Sequence, residues 1–526
     1  MIRTDLKFER EAREKLMVGV NKLAKAVSTT LGGAGKNVML VDNLLPPQVT
    51  KDGITVAKSI TLDDFIEQAG VEIVRQASAR SAKEVGDGTT TATVISAEIL
   101  NRGVEVIDDL NVHDFKKGME KAYEIIAQKL EEDSEDVSEN LESLKNIATI
   151  SANGDENIGE TVSKLIYDLG VDSEVLILED KTQPKGIYSQ IKQGYTFARG
   201  SNPFFETSRG TGVVKYDACK IMIIDRYIAR IHTLETAIDY CADNGLPLII
   251  LYSSIESKSL ENLILTKMNN GVKICAVEFP DAGEMQQLSI MDIADATGAK
   301  IIKDLEQYEV EDLGDLAQFK SDAYNTTLMF DEKFKENIEE IVSNIKGGMD
   351  LFDGYKLSDA KERLKRLSKG IGEIRIGHTT DVEYREIYDR VEDAIGAVRS
   401  AMQEGIVVGG GIALLKASYN ITVLEGSESE VAGMETVIES CQKPFKQILL
   451  NAGLKNSEIE EIQDKILDSK FNLGFNARTK SLENLKELGI IDPKKVTRSA
   501  LLAAVSVASS ILTTDCIVFP KPLSLE

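Results

Sequence analysis

The chain has 526 residues, more than one hydrophobic core can organise, so two to four domains are expected. A content of 42% hydrophobic and 28% charged residues is that of a globular protein, and the absence of Trp points to cores of Ile, Leu, Val and Ala. A formal charge of −25 argues against a nucleic-acid-binding surface, which needs a basic stripe, and favours a protein that resists non-specific association.

From the N-terminus, MIRTDLKFEREAREKL is charged throughout and lacks the apolar core of a signal peptide. Residues 9 to 30 read as a helix with Leu16, Val20, Leu23 and Val27 on one stripe, stopping at the glycine-rich TTLGGAGKN. The next stretch, VMLVDNLLPPQVTKDGITVAKSI, alternates around Asp52-Gly53 and reads as a hairpin with that pair at its tip. Helix returns over 65–82, and again after GDGTTTAT to about Leu130. The charged run EEDSEDVSEN marks a change of composition. From about Gly194 to Gly370, strands such as CKIMIID, LPLIILY and VKICAVEF alternate with helices, the pattern of an α/β domain. Helix then dominates to the end, where SALLAAVSVASSILTT is too short and too rich in Ser and Thr to span a bilayer and is expected as a buried helix. The expected fold class is therefore multidomain α and α/β, with an α/β domain inserted into a helical domain built from both chain ends.

Several stretches carry chemistry. In GDGTTTAT, the glycines let backbone approach an anion, and the helix start behind them offers free N–H groups and a partial positive charge. Thr hydroxyls add donors, and Asp87 is placed to hold Mg²⁺. The plain alternative is a capped helix start with an Asx turn. TTLGGAGKN is not a Walker loop, because Thr30 stands where Gly is needed and Asn37 follows Lys36. In RVEDAIGAV, Asp393 shares a helix face with Asp389, Arg390, Gly396 and Ala397. The plain reading is a solvated carboxylate paired with Arg390, although the small residues leave room for another surface to come close. VGGGIALL offers a further close backbone approach. The five cysteines, Cys219, Cys241, Cys275, Cys441 and Cys516, are dispersed without a CxxC pair, and with only His113, His232 and His378 a zinc site or a His-based catalytic set is not expected. Such thiols fit the cytosol, or an organelle matrix if a transit peptide has been removed.

Taken in order, VTKDGITVAKSI, GDGTTTATV, ATISANGDE, RVEDAIGAVRSAMQEG, VGGGIALL and DPKKVTRSALLAAVSVASSILTTDC resemble the group I, GroEL-type chaperonins over about Lys7 to Cys516. The resemblance implies seven-membered rings that capture non-native polypeptides and refold them in a closed chamber, using ATP with Mg²⁺ and with K⁺ as a further candidate ion. It implies an equatorial domain (1–135 and 405–526), an intermediate domain (136–192 and 371–404) and an apical domain (193–370), with hinges at Gly194, Gly370 and Gly405. Carried over by position, Thr30, Leu31 and Gly32 contact the nucleotide, Lys51 its phosphates, and Asp87 the Mg²⁺, with Gly88, Thr89, Thr90 and Thr91 cradling phosphates. Asp52 and Asp393 organise the attacking water. Ile150, Ser151, Gly410, Asn476, Ala477 and Asp492 border base and ribose. In the apical domain, Phe204, Phe205, Leu234, Ile238, Leu260, Ile264 and Leu265 form an exposed groove for clients and for a cochaperonin lid; ordinary amphipathic core is the alternative.

The chain departs from the family in its glycine loop, which reads Gly32-Gly33-Ala34-Gly35 where Pro and Lys are usual, and in Ser201 after Arg199-Gly200, where an aromatic is usual. Residues 454–475 diverge most, near where rings meet, so one ring or two stays open. The competing reading is a divergent paralogue that assembles and binds proteins with little ATP turnover. An unrelated nucleotide-dependent metabolic enzyme is a third, without a substrate-processing constellation to support it. Neither nucleic acid nor membrane is an expected partner.

Overall fold

The computed structural model describes residues 4–520, apart from 42–46, 172, 181–184, 209, 282, 350–353, 369, 422–423 and 470–471. Contacts divide the chain into two compact units: Met1–Val171, Ile177–Tyr188 and Arg375–Glu526 form the first, and Asp172–Leu176 and Ser189–Ile374 the second.

Unit 1 opens with β1 (Thr4–Phe8) and α1 (Glu9–Ser28), whose Leu16, Val20, Leu23 and Val27 are buried at helical spacing. A hairpin follows, but it turns earlier than expected: β2 (Val38–Leu40) pairs antiparallel with β3 (Gln48–Thr50), and 42–46 of the connection lie outside the described residues. Asp52-Gly53 is not its tip. Asp52 caps α2 (Gly53–Ser59), its carboxylate accepting the N–H groups of Ile54 at 3.1 Å and Thr55 at 2.7 Å. Those bonds satisfy donors that a helix start leaves free. Helices α3 (Phe65–Val85), α4 (Thr89–Val106), α5 (Val112–Glu132), α6 (Leu141–Ser151) and α7 (Glu156–Leu169) complete the first segment. The chain leaves through β4 (Val175–Glu179) and β5 (Gly186–Lys192).

Unit 2 is built on a seven-stranded sheet. Its elements run β6 (Gly194–Phe197), β7 (Val214–Ile228), α8 (Glu235–Asp243), β8 (Leu248–Ile255), α9 (Ser257–Asn270), β9 (Ile274–Glu278), α10 (Gly283–Thr297), β10 (Ile301–Ile302), β11 (Gly314–Ser321), β12 (Thr326–Phe330), α11 (Lys335–Gly348) and α12 (Gly354–Ser368). The strands β7, β8 and β9 are parallel, and Leu248, Ile249, Ile250 and Leu251 are all buried, as a strand covered on both faces requires. On the other side β11, β12 and β6 continue the sheet antiparallel.

The apolar groove expected here needs correction. Phe205, Leu234, Ile238 and Ile264 belong to the buried cluster beneath α8 and α9. An amphipathic helix must turn its apolar stripe to the sheet, which makes Ile238 of α8 and Ile264 of α9 core, and Phe205 and Leu234, on short 3-10 turns before the helices, are buried with them. Leu260 is half-buried, while Phe204, Leu265 and Met268 are exposed.

The chain returns through β13 (Ile371–Gly377) into α13 (Asp381–Glu404), β14 (Ile406–Val408), α14 (Ile412–Tyr419), α15 (Glu428–Ser440), α16 (Lys443–Asn451) and α17 (Asn456–Leu467). The hairpin β15 (Leu473–Asn476) and β16 (Ser481–Asn484), then β17 (Ile491–Pro493), lead to α18 (Lys494–Leu512) and β18 (Cys516–Pro520). The uncharged stretch is indeed a core helix: Ala500, Leu501, Ala504 and Ala508 are fully buried. Leu501, Ala504 and Ala508 join one cluster with residues of α1, α3, α4 and α5. Finally β18 pairs antiparallel with β1, Phe8 opposite Cys516 and Thr4 opposite Pro520.

Candidate functional site: an acidic cavity at the start of α4

The turn between α3 and α4 carries GDGTTT. Gly86 and Gly88 take φ of +85° and +94°, conformations that cost glycine nothing and other residues strain. Gly88 is the cap residue of α4, so Thr89, Thr90 and Thr91 form a helix first turn whose N–H groups lack helical partners. Asp87 sits between the glycines, accepting from Gly88 N–H and, at 3.2 Å, from the Ser151 hydroxyl at the end of α6.

This turn lines a cavity of about 580 Å³, a size typical of small-molecule sites. Thr30, Leu31 and Gly32 approach it from the loop after α1, Lys51 and Asp52 from the start of α2, and Ile150 and Ser151 from α6. Gly410, Asn476, Ala477 and Asp492 supply another wall, and Asp393 enters from α13. Of the nucleotide-site residues read from the sequence, Thr89 alone is outside this lining. Among the described residues its buried hydroxyl has no hydrogen-bond partner, and its side chain does not line the cavity.

Two bare backbones bring Asp393 here. A Cβ on Gly86 would lie 2.3 Å from the Gly396 Cα, and one on Gly396 would lie 2.4 Å from the Gly86 Cα. The Ser400 hydroxyl, one turn on, donates to the Val85 carbonyl at 2.9 Å. The plain pairing of Asp393 with Arg390 is not formed, since Arg390 bonds to Glu386.

The site is electrostatically crowded. Burial pushes the Asp87 carboxyl up, against the pull of Gly88 N–H and the Ser151 hydroxyl, and the Asp52 charge adds to the rise. Asp393 is raised well above the usual carboxylate range, by burial first and then by Asp87, Asp52, Asp389 and Glu392. Burial, then the Asp87 charge, lifts Asp492 to about 6. Asp389 also reaches about 6, through burial and then Asp52 and Glu392. Carboxylates that cannot all ionise together are the chemistry of a hard-cation site, because a divalent ion relieves their repulsion. The carboxylate donor set of Asp52, Asp87, Asp393 and Asp492 therefore fits a divalent cation such as Mg²⁺. Opposite, burial and then the charges of Arg478 and Arg390 lower the Lys51 ammonium. Carboxylates, a lysine and a free helix start around one cavity suit a polyphosphate and its cation.

The sequence pattern of the TCP-1/cpn60 chaperonin family matches residues 23–522. The chain belongs to that family. The chaperonin is also similar in fold to a solved structure, the chaperonin gp146 from the bacteriophage EL 2 (Pseudomonas aeruginosa), determined in the presence of ATP-BeFx. The two share 20% identity with a TM-score of 0.65, over 98% of this chain and 99% of that one. The multidomain α and α/β class expected from the sequence is the chaperonin fold.

The crowding sets a pH dependence. Asp389 and Asp492 have folded values of about 6, above the ordinary 3.8, so the folded chaperonin holds protons that the unfolded chain releases. Stability without metal or nucleotide should therefore fall as pH rises from about 4 to about 6 and level above that. Each carboxyl contributes on the order of 2 kcal/mol. Asp389→Asn should flatten the slope and raise the urea midpoint at pH 7; a midpoint unchanged or lowered at pH 7 would show that the Asp389 charge is tolerated there.

Asp389 and Arg478 are among the cavity residues to which the sequence assigned no role. Asp389 precedes Asp393 by one helical turn and was visible on its face. Arg478 directly follows Asn476 and Ala477 in GFNART, but nothing in the sequence placed its side chain on the cavity rim.

Proposed function

We propose that this chaperonin is an ATP-driven protein-folding machine. The observation that carries the proposal is the convergence of Asp52, Asp87 and Asp393 on one cavity at the free start of α4. Thr30, Leu31, Gly32, Lys51, Thr90, Thr91 and the α4 backbone bind the nucleotide, while Ile150, Ala477 and Asp492 border base and ribose. Asp87 holds Mg²⁺, and K⁺ is a second ion to test. When bound, the cation neutralises charge on the phosphates. Asp52 and Asp393 organise the attacking water, with Asp393 delivered by α13. That the gp146 chaperonin was determined in the presence of ATP-BeFx supports a nucleotide site.

The same proposal divides the chain into the equatorial, intermediate and apical domains given above, the apical one falling within unit 2. Phe204, Leu260 and Leu265, joined by Met268, form the surface for unfolded clients and a cochaperonin lid; apolar contact is non-directional and accepts many sequences. Assembly is a homo-oligomeric ring, for which heptamer is the expected order. Two exposed apolar ribbons support assembly: Leu6, Phe8 and Val518 on the β1–β18 pair, and Met39 and Val49 on the β2–β3 pair. Sheet edges of this kind invite another strand. The proposed compartment is the cytosol, consistent with five free thiols, four of them buried.

The test pairs steady-state hydrolysis with refolding. With Mg²⁺, the protein should hydrolyse ATP, lose that activity in EDTA, and suppress aggregation of a denatured test protein in a nucleotide-dependent way. Client binding with no turnover would favour the divergent-paralogue reading. No adenine-nucleotide binding at all would refute the proposal.

A further inference from the structure

Arg478 stands on the turn of the β15–β16 hairpin, where its N–H donates to the Asn476 side-chain oxygen at 3.0 Å and fixes the turn. Its side chain reaches the cavity across Gly154. That glycine takes φ +89°, and a Cβ there would lie 2.3 Å from the Arg478 Nη2. The guanidinium thus lies against bare backbone, in a space that any side chain at 154 would fill. Among the described residues it makes no ion pair and its side chain makes no hydrogen bond, whereas the neighbouring Arg390 is bonded to Glu386. A free guanidinium beside a cavity lined by Asp52, Asp87, Asp393 and Asp492, yet paired with none of them, is placed for an incoming anion.

The nature of that anion follows from what else is near. Lys51 and Arg478 both line the cavity, and burial first and then the Arg478 charge lower the Lys51 ammonium, so an anion in the cavity meets two cations. An anion that reaches both offsets a like-charge repulsion that is otherwise unfavourable. A guanidinium offers phosphate two parallel N–H donors, which an ammonium cannot.

We infer that Arg478 grips the polyphosphate of the bound nucleotide together with Lys51, and so sets a preference for nucleoside di- and triphosphates over nucleosides. This rests on the nucleotide reading of the cavity and adds to it a specificity residue. No covalent step is involved. Gly154 acts by leaving the space that the guanidinium occupies.

The experiment is calorimetric titration of the folded full chain with ATP, ADP and adenosine, each with Mg²⁺. Arg478→Ala should weaken ATP and ADP by about 10- to 100-fold and leave adenosine within about twofold. Arg478→Lys should fall between, since it keeps the charge but loses the fork. Gly154→Ala keeps the arginine and displaces it, and should shift the same selectivity in the same direction. Equal affinity of wild type and Arg478→Ala for ATP and ADP would overturn the inference while leaving the nucleotide site standing. So would an equal loss for adenosine, which would mean that Arg478 only supports the hairpin. A wild type that binds none of the three would overturn the nucleotide reading and this inference with it.

Discussion

Asp393→Ala will lower ATP hydrolysis by about 100-fold or more while nucleotide remains bound. The carboxyl lies in the cavity, but it comes from α13 and not from the loop after α1, the start of α2 or the α4 start, to which nucleotide contacts are assigned. Lys51, the α4 start and Asp87 are untouched by the change, so binding should survive. Removing one of several mutually repelling carboxylates should also stabilise the protein in the absence of nucleotide, because Asp87, Asp52 and Asp389 each lose a like-charged neighbour. The check is turnover beside ADP affinity, with Asp393→Asn as a control that keeps shape and removes charge. Undiminished turnover in both variants would move the water-activating role elsewhere. Loss of binding along with turnover would make Asp393 part of the ligand site.

Gly396→Ala should reproduce much of that loss without touching a single reacting group. The methyl would lie 2.4 Å from the Gly86 Cα, a contact that real Cβ atoms do not make. Either α13 or the loop must then move, and Asp393 moves with it. Alanine is a better helix former than glycine by about 1 kcal/mol, so helix propensity alone predicts a more stable α13. A fall in turnover, with melting unchanged or improved, would therefore report undocking and not weakening of the helix. Gly86→Ala meets the same clash from the other side and adds the strain of φ +85°, of order 1–3 kcal/mol, directly beside Asp87. It should cost nucleotide affinity as well as turnover. Turnover close to wild type in Gly396→Ala would show that the backbone contact is dispensable for positioning Asp393.

Much of the fold and site was legible because local chemistry and global role coincide. GDGTTT announces an anion-friendly helix start whatever lies around it, and Gly396-Ala397 signalled a close approach whose partner, Gly86, only the fold could name. Asp52-Gly53 misled for a physical reason: Asp accepts N–H groups in turns and at helix starts alike, and the β-branched Ile54, Thr55 and Val56 that follow look like strand. The apical residues misled differently. The positions matched to the family on α9 fall on both of its sides: Ile264 belongs to the core cluster and Leu260 is half-buried, while Leu265, and beside it Met268, are exposed. Arg478 carries no periodicity or motif of its own; its placement depends on a glycine more than three hundred residues earlier in the chain.

The bracketed chain order has a consequence for synthesis. Made from its N-terminus, the chain finishes unit 2 when Ile374 is added, with its own sheet and core complete. Unit 1 is in the opposite position: α1, α3, α4 and α5 emerge early, yet the cluster they share is closed only by α18, and β1 waits for β18. The inserted unit can therefore fold on the ribosome before its host. Throughout that interval the host's apolar faces stay uncovered, so a protein proposed to shelter unfolded chains spends most of its own synthesis as one.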